Sequence, residues 1–135
     1  MVTILGPTAS GKTAVAVNLA LKLGGEIISA DSRQIYREMD LGTGKDLEEY
    51  QIDGMNVPYH LIDIADAGYQ YNVFEFQRDF LKVYQAIQQK GSFPVMCGGS
   101  GMYLEAILKG YRLIQVPVNE ERRAELQLLS LEALT

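Results

Sequence analysis

Residues 6–13 read GPTASGKT, and this stretch decides the fold of the chain. It matches the pattern G-x-x-x-x-G-K-[ST] at four positions: Gly6, Gly11, Lys12 and Thr13. The apolar run at 2–5 before it predicts a buried strand. The run KTAVAVNLALKL at 12–23 predicts a helix, because its apolar residues recur at helical spacing and two glycines follow it. A strand, a glycine-rich turn and a helix in this order predict a phosphate-binding loop, or P-loop.

The P-loop predicts a site for a phosphate-bearing ligand. Its glycines let backbone N–H groups surround phosphate oxygens, and the following helix adds the positive end of its dipole. Lys12 supplies a mobile positive charge, and the Thr13 hydroxyl can ligate Mg²⁺. The candidate diphosphate- or nucleotide-binding residues are Gly6, Pro7, Thr8, Ala9, Ser10, Gly11, Lys12 and Thr13. The alternative is a glycine- and serine-rich turn without a ligand. Because kinases, GTPases and other transferases share the motif, it does not name a reaction.

Further strands are predicted at 27–28, 59–64 and 93–97, where short apolar runs end in turn residues. Three of the predicted strands lead into polar or glycine-rich segments, which read GPTASGKT, ADSRQ and GGSGMY. Ligands of parallel sheets bind at the carboxyl ends of the strands, so these segments should meet at one rim. The polar stretch 37–56 contains three glycines and predicts a loop or a flap over a site.

Helices are predicted between these strands. Asn72 and Glu75 form a capping box ahead of a helix that stops at Gly91 and buries one apolar stripe, namely Phe76, Phe80, Tyr84 and Ile87. Another helix extends to about Lys109, and Asn119 can cap a last helix that runs to the end. Strands alternating with helices indicate βαβ units. We therefore expect a single P-loop NTPase-like α/β domain over 1–135, with three layers and a parallel sheet of about four or five strands.

Asp31 stands directly after the second strand and is a candidate for chemistry. A carboxylate at this strand tip could ligate Mg²⁺ through water or accept a proton from an incoming nucleophile. The alternative is that Asp31 only caps a short helix after it, as aspartate often does. Arg33 either reaches phosphate bidentately or lies solvated on the surface, and the residues alone leave this open.

Three other polar residues have weaker claims to a function. His60 is the single histidine and is expected to be a hydrogen-bonded structural residue. Asp63 ends an apolar run, where it could either help with Mg²⁺ or serve a turn. Cys97 is expected to behave as a small buried hydrophobe.

Length, composition and net charge exclude several classes of protein. A chain of 135 residues is long enough for one core, and its apolar runs are shorter than the ~20 residues of a membrane span, so no membrane partner is expected. The N-terminus has no basic region typical of a signal peptide, and one cysteine fits a reducing cytoplasm. The net charge of −5 argues against a simple nucleic-acid binder. Residues 1–46 carry five positive and five negative side chains, so the negative excess follows them.

Four segments together resemble the tRNA dimethylallyltransferase family, also called tRNA isopentenyltransferases or IPP transferases. They are GPTASGKT, ISADSRQIYREMDLGTGK, VPYHLIDI and GGSGMYLEAILKG, in the family order. The resemblance implies transfer of a dimethylallyl group from dimethylallyl diphosphate to N6 of adenosine 37 in the tRNA anticodon loop. In that case the P-loop holds a diphosphate leaving group, with Lys12, Thr13 and Mg²⁺ neutralising its charge. Asp31 matches the family's general base.

The resemblance also implies contacts with tRNA. The matching positions are Asp31, Ser32, Arg33, Gln34, Ser100 and Arg122. Ser100 stands where the family usually has threonine, which keeps the hydroxyl. Family members are about twice as long, so we expect a truncated member whose helical insertion begins near 112–135 and whose later core elements are missing.

Three other functions are compatible with a P-loop in this sequence. A small-molecule kinase shares the P-loop, but kinases of that class usually add an arginine-rich lid, and no such cluster is present. An adenylate prenyltransferase would differ only in its acceptor. A fragment that binds diphosphate without turnover is a third alternative. The oligomeric state cannot be predicted.

Overall fold

The strands define the architecture of the chain in this computed structural model, which describes residues 1–45 and 47–134. In chain order they are β1 (Val2–Leu5), β2 (Gly25–Ser29), β3 (Gln51–Ile52), β4 (Met55–Asn56), β5 (Tyr59–His60) and β6 (Phe93–Gly98). Four of them form a parallel sheet in the order β1-β6-β2-β5, and β3 pairs with β4 in a separate antiparallel hairpin. The predicted α/β fold and the size of its parallel sheet are confirmed.

Five α-helices and one 3₁₀ turn, at Leu47–Tyr50, accompany the strands in the described ranges. The helices are α1 (Lys12–Leu23), α2 (Val73–Gln89), α3 (Gly101–Leu108), α4 (Glu120–Gln127) and α5 (Leu131–Leu134). The predicted capping box begins α2: the Glu75 N–H donates to Asn72 Oδ1 at 3.1 Å, and the Asn72 N–H donates to Glu75 Oε2 at 3.2 Å. Among the described residues, no helix is long and apolar enough to cross a membrane.

The core has two parts, one on each face of the sheet. Ile27 and Ile28 are adjacent on β2, and because successive strand side chains point to opposite faces, each belongs to a different part. Ile28 packs with residues of α2 and α3, including Phe76 and Phe80. Ile27 packs with Val17 and its neighbours on α1, and with Tyr50 of the 3₁₀ turn. Helices therefore cover both faces of the sheet, as a three-layer fold requires.

The buried face of α1 consists of small side chains. Ala16, Val17 and Ala20 have no exposed surface, whereas Val15 and Leu23 are 59% and 44% exposed. The apolar spacing that predicts this helix therefore does not mark the face that packs on the sheet. Two alanines on the packed face let the helix backbone approach β2 and β6 closely.

Two predicted elements differ from the structure. The strand at 59–64 ends after His60, because Leu61 and Asp63 have φ values of 62° and 56°, which a strand cannot accommodate. The backbone N–H groups of Asp63 and Ile64 donate instead to carbonyls of the turn after β2. The predicted last helix begins after Asn119 but is interrupted at 128–130, and neither of its two parts, α4 and α5, buries a residue.

Two positions covered by predictions lie outside the described residues. They are Asp46, in the predicted flap, and Thr135, at the end of the predicted last helix.

Candidate functional site

Three strand ends meet at one rim of the sheet, as the sequence predicts. Leu5 at the end of β1 pairs in register with Gly98, and Ser29 at the end of β2 pairs with Cys97. Beyond the paired strands, the Ser100 N–H donates to the Ala30 carbonyl at 3.1 Å. The segments that begin with Gly6, Asp31 and Gly99 therefore lie side by side.

Gly98 allows this close approach. A β-carbon at position 98 would overlap the Ala30 carbonyl oxygen, so any other residue would push β2 and β6 apart at the rim. The rim borders a cavity of about 230 Å³ that is lined by the P-loop, by Asp31 to Gln34 in part, and by the segment 43–50 in part.

The P-loop is tightly folded on itself. Ala9 and Gly11 have φ values of 59° and 77°, and Gly11 is the residue before the first turn of α1. The Lys12 ammonium donates to the Pro7 carbonyl at 2.6 Å, and the Ser10 hydroxyl donates to the same carbonyl at 2.8 Å. Lys12 therefore lies against the loop it would serve, next to the N-terminal end of α1.

Asp31 occupies the rim of the same cavity. Its Oδ1 accepts the Arg33 N–H at 2.9 Å and lies 3.7 Å from Arg33 Nε. The carboxylate therefore stabilises the segment after β2 in a capping role, but this segment is a turn and not the short helix of the alternative considered above. Both contacts use Oδ1, and among the described residues none uses Oδ2, so the turn role leaves one oxygen for a ligand. The side chain is 17% exposed.

Most of the residues predicted to contact tRNA come together here. The Ser100 hydroxyl accepts the Ser32 N–H at 2.8 Å and donates to the Ser32 hydroxyl at 3.1 Å. Gln34 accepts the Ser29 hydroxyl at 2.9 Å and donates to the Gly44 carbonyl at 2.9 Å. Gln34 thus ties the end of β2 to the predicted flap.

Arg122 lies apart from this group. It is on α4, where its guanidinium donates to Glu125 Oε2 at 2.8 Å, and it does not line the cavity. The structure therefore groups five of the six predicted tRNA-contact positions at the rim and leaves Arg122 on an exposed helix.

Five further residues line the cavity, and the sequence predicted a role at the site for none of them individually. They are Thr43, Gly44, Glu49, Tyr50 and Cys97. The polar, glycine-containing stretch 37–56 was predicted to cover a site, and four of the five belong to it. Nothing in the local pattern marks Thr43 or Tyr50 as lining residues. The Thr43 hydroxyl donates to the Met39 and Asp40 carbonyls within the flap, and Tyr50 packs against α1.

Burial governs the protonation of two of these lining residues. It raises the pKa of the Cys97 thiol to about 11, so Cys97 remains a neutral small side chain. Burial also raises the pKa of the Tyr50 phenol. The cavity lining therefore carries neutral groups at these two positions, together with the carboxylate of Glu49.

The oxygen atoms at this site suit an Mg²⁺ ion that is also coordinated by a bound phosphate-bearing substrate. Thr13 and Asp31 line one cavity and offer hydroxyl and carboxylate oxygens, which Mg²⁺ prefers. In the described part of the chain, no group of three or more His, Cys, Asp or Glu side chains could hold a metal alone. Mg²⁺ commonly takes the rest of its ligands from substrate phosphates and water.

The other polar residues have structural roles. Asp63 accepts the buried Lys45 ammonium at 2.5 Å and does not line the P-loop cavity, which favours its role in a turn. His60 Nε2 lies 2.7 Å from Glu26 Oε2, as expected for a hydrogen-bonded structural histidine. Cys97 is buried, as predicted.

A P-loop at the rim of a parallel sheet, in one cavity with a carboxylate and a guanidinium, defines an α/β protein of the P-loop class. Comparison with known proteins gives the family. The family model described as IPP transferase matches residues 34–134, and the chain belongs to that family.

Curated relatives agree with this assignment. The chain is 68% identical over all 135 residues to "tRNA dimethylallyltransferase 2" of Bacteroides fragilis, of which it covers 44%. It is 60% identical over 135 residues to "tRNA dimethylallyltransferase 1" of Porphyromonas gingivalis, of which it covers 45%. The chain thus spans less than half the length of these relatives.

Solved structures give the same picture of the fold. The full-length tRNA isopentenylpyrophosphate transferase of Bacillus halodurans superposes with a TM-score of 0.77 at 43% identity, over 93% of this chain and 41% of that one. The corresponding Staphylococcus epidermidis enzyme gives a TM-score of 0.73 at 34% identity, over 94% of this chain and 40% of that one. Both comparisons support the P-loop NTPase-like fold.

Proposed function

We propose that this chain supplies the donor site and the general base of a tRNA dimethylallyltransferase. The reaction moves the dimethylallyl group of dimethylallyl diphosphate to N6 of adenosine 37 in the anticodon loop of tRNA, in the cytoplasm. The observation that carries the proposal is that the P-loop and Asp31 line one cavity. The diphosphate leaving group and the base that deprotonates the attacking amine can therefore lie at the same reaction centre.

The P-loop binds the diphosphate of the donor. Its backbone N–H groups and the N-terminal end of α1 attract the phosphate oxygens, and Lys12 exchanges the Pro7 carbonyl for one of them. Negative charge on the diphosphate grows as the bond between C1 and oxygen breaks, so these groups stabilise the transition state more than the bound donor. Mg²⁺, held by Thr13 and phosphate oxygens, would supply further neutralising charge.

Asp31 acts on the acceptor. The exocyclic amine of adenosine is a weak nucleophile, so its attack on C1 needs close positioning and removal of a proton. N6 forms the new bond to C1, the electron pair of the broken bond leaves with the diphosphate, and the proton passes from N6 to the Asp31 carboxylate. Oδ1 holds the turn, and Oδ2 receives the proton.

The remaining rim residues contact the RNA. Ser32 and Ser100 are linked to each other at the rim of the sheet, and Gln34 of the same segment lines the cavity. Extrusion of the target base from its loop would bring it to this rim. Arg122, exposed on α4, would contact the tRNA away from the reacting base.

A chimera tests the proposed reaction. These 135 residues would replace the matching 44% of the Bacteroides fragilis relative, and the product would be incubated with dimethylallyl diphosphate, Mg²⁺ and unmodified tRNA. We expect one dimethylallyl group per tRNA, located on adenosine 37 by mass spectrometry of nuclease fragments. A folded chimera that binds tRNA and donor but leaves adenosine 37 unmodified would contradict the proposal.

A further inference from the structure

Arg33 reaches across the rim to the P-loop. Its Nη2 donates to Thr8 Oγ1 at 3.1 Å, although Thr8 is 25 positions earlier in the chain. Arg33 lines the same cavity as Lys12 and Thr13. Its side chain is 50% exposed, so a ligand in the cavity can reach the guanidinium without displacing buried structure.

Asp31 fixes the direction of this arginine. The Asp31 carboxylate accepts the Arg33 backbone N–H at 2.9 Å, and the same oxygen lies 3.7 Å from Nε. One edge of the guanidinium is therefore beside Asp31, while Nη2 is at the P-loop. A guanidinium has five N–H donors in a rigid fork, and these contacts leave several of them for phosphate oxygens.

We propose that Arg33 is a ligand of the donor's diphosphate, binding it together with Lys12 and next to the base. This inference rests on the proposed function, and it assigns Arg33 to the leaving group although the family resemblance implies a contact with tRNA. A diphosphate carries more negative charge than Lys12 alone can neutralise. The Arg33 guanidinium, bonded to Thr8, adds a second positive charge. Its attraction to the diphosphate grows as the leaving group departs, because the negative charge on the diphosphate grows.

Neighbouring contacts separate Arg33 from the RNA-facing residues. Ser32 is turned to Ser100, and Gln34 is held between Ser29 and Gly44. Arg33 is the member of this segment whose side chain bonds to the P-loop. The segment 31–34 would thus serve both substrates, with Arg33 assigned to the donor and the other three side chains to the acceptor.

Calorimetric titration with inorganic pyrophosphate and Mg²⁺ tests this role directly. We expect Arg33→Met to weaken pyrophosphate binding to the 135-residue chain roughly 10- to 100-fold, the usual size of a lost charge-assisted bond. Arg33→Lys should recover part of the loss, because lysine keeps the charge but not the fork. Arg37→Met is the matched control, since Arg37 pairs with Asp66 at 2.7 Å and does not line the cavity. Circular dichroism would verify that each variant is folded.

A second titration, of the chimera with tRNA, separates the two possible roles of Arg33. The proposal predicts that Arg33→Met leaves tRNA affinity within about twofold of the parent, as expected for a residue outside the RNA contacts. Unchanged pyrophosphate binding in Arg33→Met, beside a clear loss in Lys12→Ala, would overturn this inference and leave the proposed donor site intact. Unchanged binding in both variants would overturn the donor site as well.

Discussion

At the scale of single residues, Lys12 is the side chain on which the proposed donor site depends most. We expect Lys12→Ala to weaken diphosphate binding by about 2–4 kcal/mol without unfolding the chain, because it removes a charge-assisted contact from a preformed anion site. Titration calorimetry with circular dichroism measures both effects. Lys22→Ala is a suitable control, because Lys22 is in the last turn of the same helix. Equal losses in the two variants would mean that general charge, and not the P-loop, binds the ligand.

Replacing Asp31 should affect the transfer step and leave donor binding unchanged. In the chimera we expect Asp31→Asn to bind the donor normally and to lose about 10²–10⁴-fold in single-turnover transfer, because the amide cannot take the proton. The amide can still accept the Arg33 N–H, so the turn should persist. Transfer at a near-normal rate would leave Asp31 with the turn role alone.

The residues of the site differ in how far the sequence predicts them. The P-loop and Asp31 could be placed because each has a local pattern and follows a strand. Tyr50 and Thr43 could not, because their positions depend on packing against α1 and on bonds within the flap. The direction of Arg33 was also open in the sequence, since its contact with Thr8 joins two separate segments.

At the scale of elements, the flap is held by one buried ammonium. Lys45 donates to Asp63 at 2.5 Å, to Asp40 at 3.0 Å and to the Tyr36 carbonyl at 2.7 Å. Burial by itself lowers the pKa of Lys45, but its bonds to Asp63 and Asp40 outweigh this, so the pKa lies above its usual value. This ion cluster joins the flap to the turn after β5, next to Thr43 and Gly44 in the cavity wall.

Replacing Lys45 should therefore cost stability. We expect Lys45→Met to lower the free energy of unfolding by about 1–3 kcal/mol, because it removes a buried donor that serves three acceptors. Lys109→Met is the matched control: Lys109 pairs with Glu105 on the surface, and such pairs contribute about 0–1 kcal/mol. Urea denaturation compares the two. An equal, small loss in both variants would show that the cluster does not stabilise the flap.

The elements predicted correctly are those with complete local signals. The capping box of α2 and the glycines after α1 fix helix ends from neighbouring residues alone. The strand at 59–64 was predicted too long, because its apolar pattern continues after His60 while its backbone bonds to the turn at Gln34 and Ile35. Such bonds join distant positions, so the local sequence pattern does not predict them.

At the scale of the whole molecule, a buried carboxylate couples stability to pH. Glu26 lies at the end of the sheet opposite the cavity and bonds to His60 and Lys90. Burial raises its pKa, but the bonds to His60 and Lys90 outweigh this, so the folded-state pKa lies below its usual value of 4.5. A group with a lowered pKa stabilises the fold above its unfolded value, and this stability is lost as the pH falls through the folded pKa.

A comparison of pH profiles tests this coupling. We expect Glu26→Gln to be less stable than the parent at neutral pH, with the difference shrinking as the pH falls below about 4.5. Urea denaturation at a series of pH values measures it. Glu105→Gln serves as an exposed control, since its partner Lys109 is also on the surface. A difference that stays constant across the series would contradict the assignment.

The proposed function requires the P-loop of this chain to bind a prenyl diphosphate. Calorimetric titration of the 135-residue chain with dimethylallyl diphosphate and with ATP, each with Mg²⁺, tests it most directly. We predict saturable binding of dimethylallyl diphosphate that Lys12→Ala weakens, and weaker binding of ATP. Tight binding of ATP with no binding of dimethylallyl diphosphate would contradict the account and favour a nucleotide-dependent kinase.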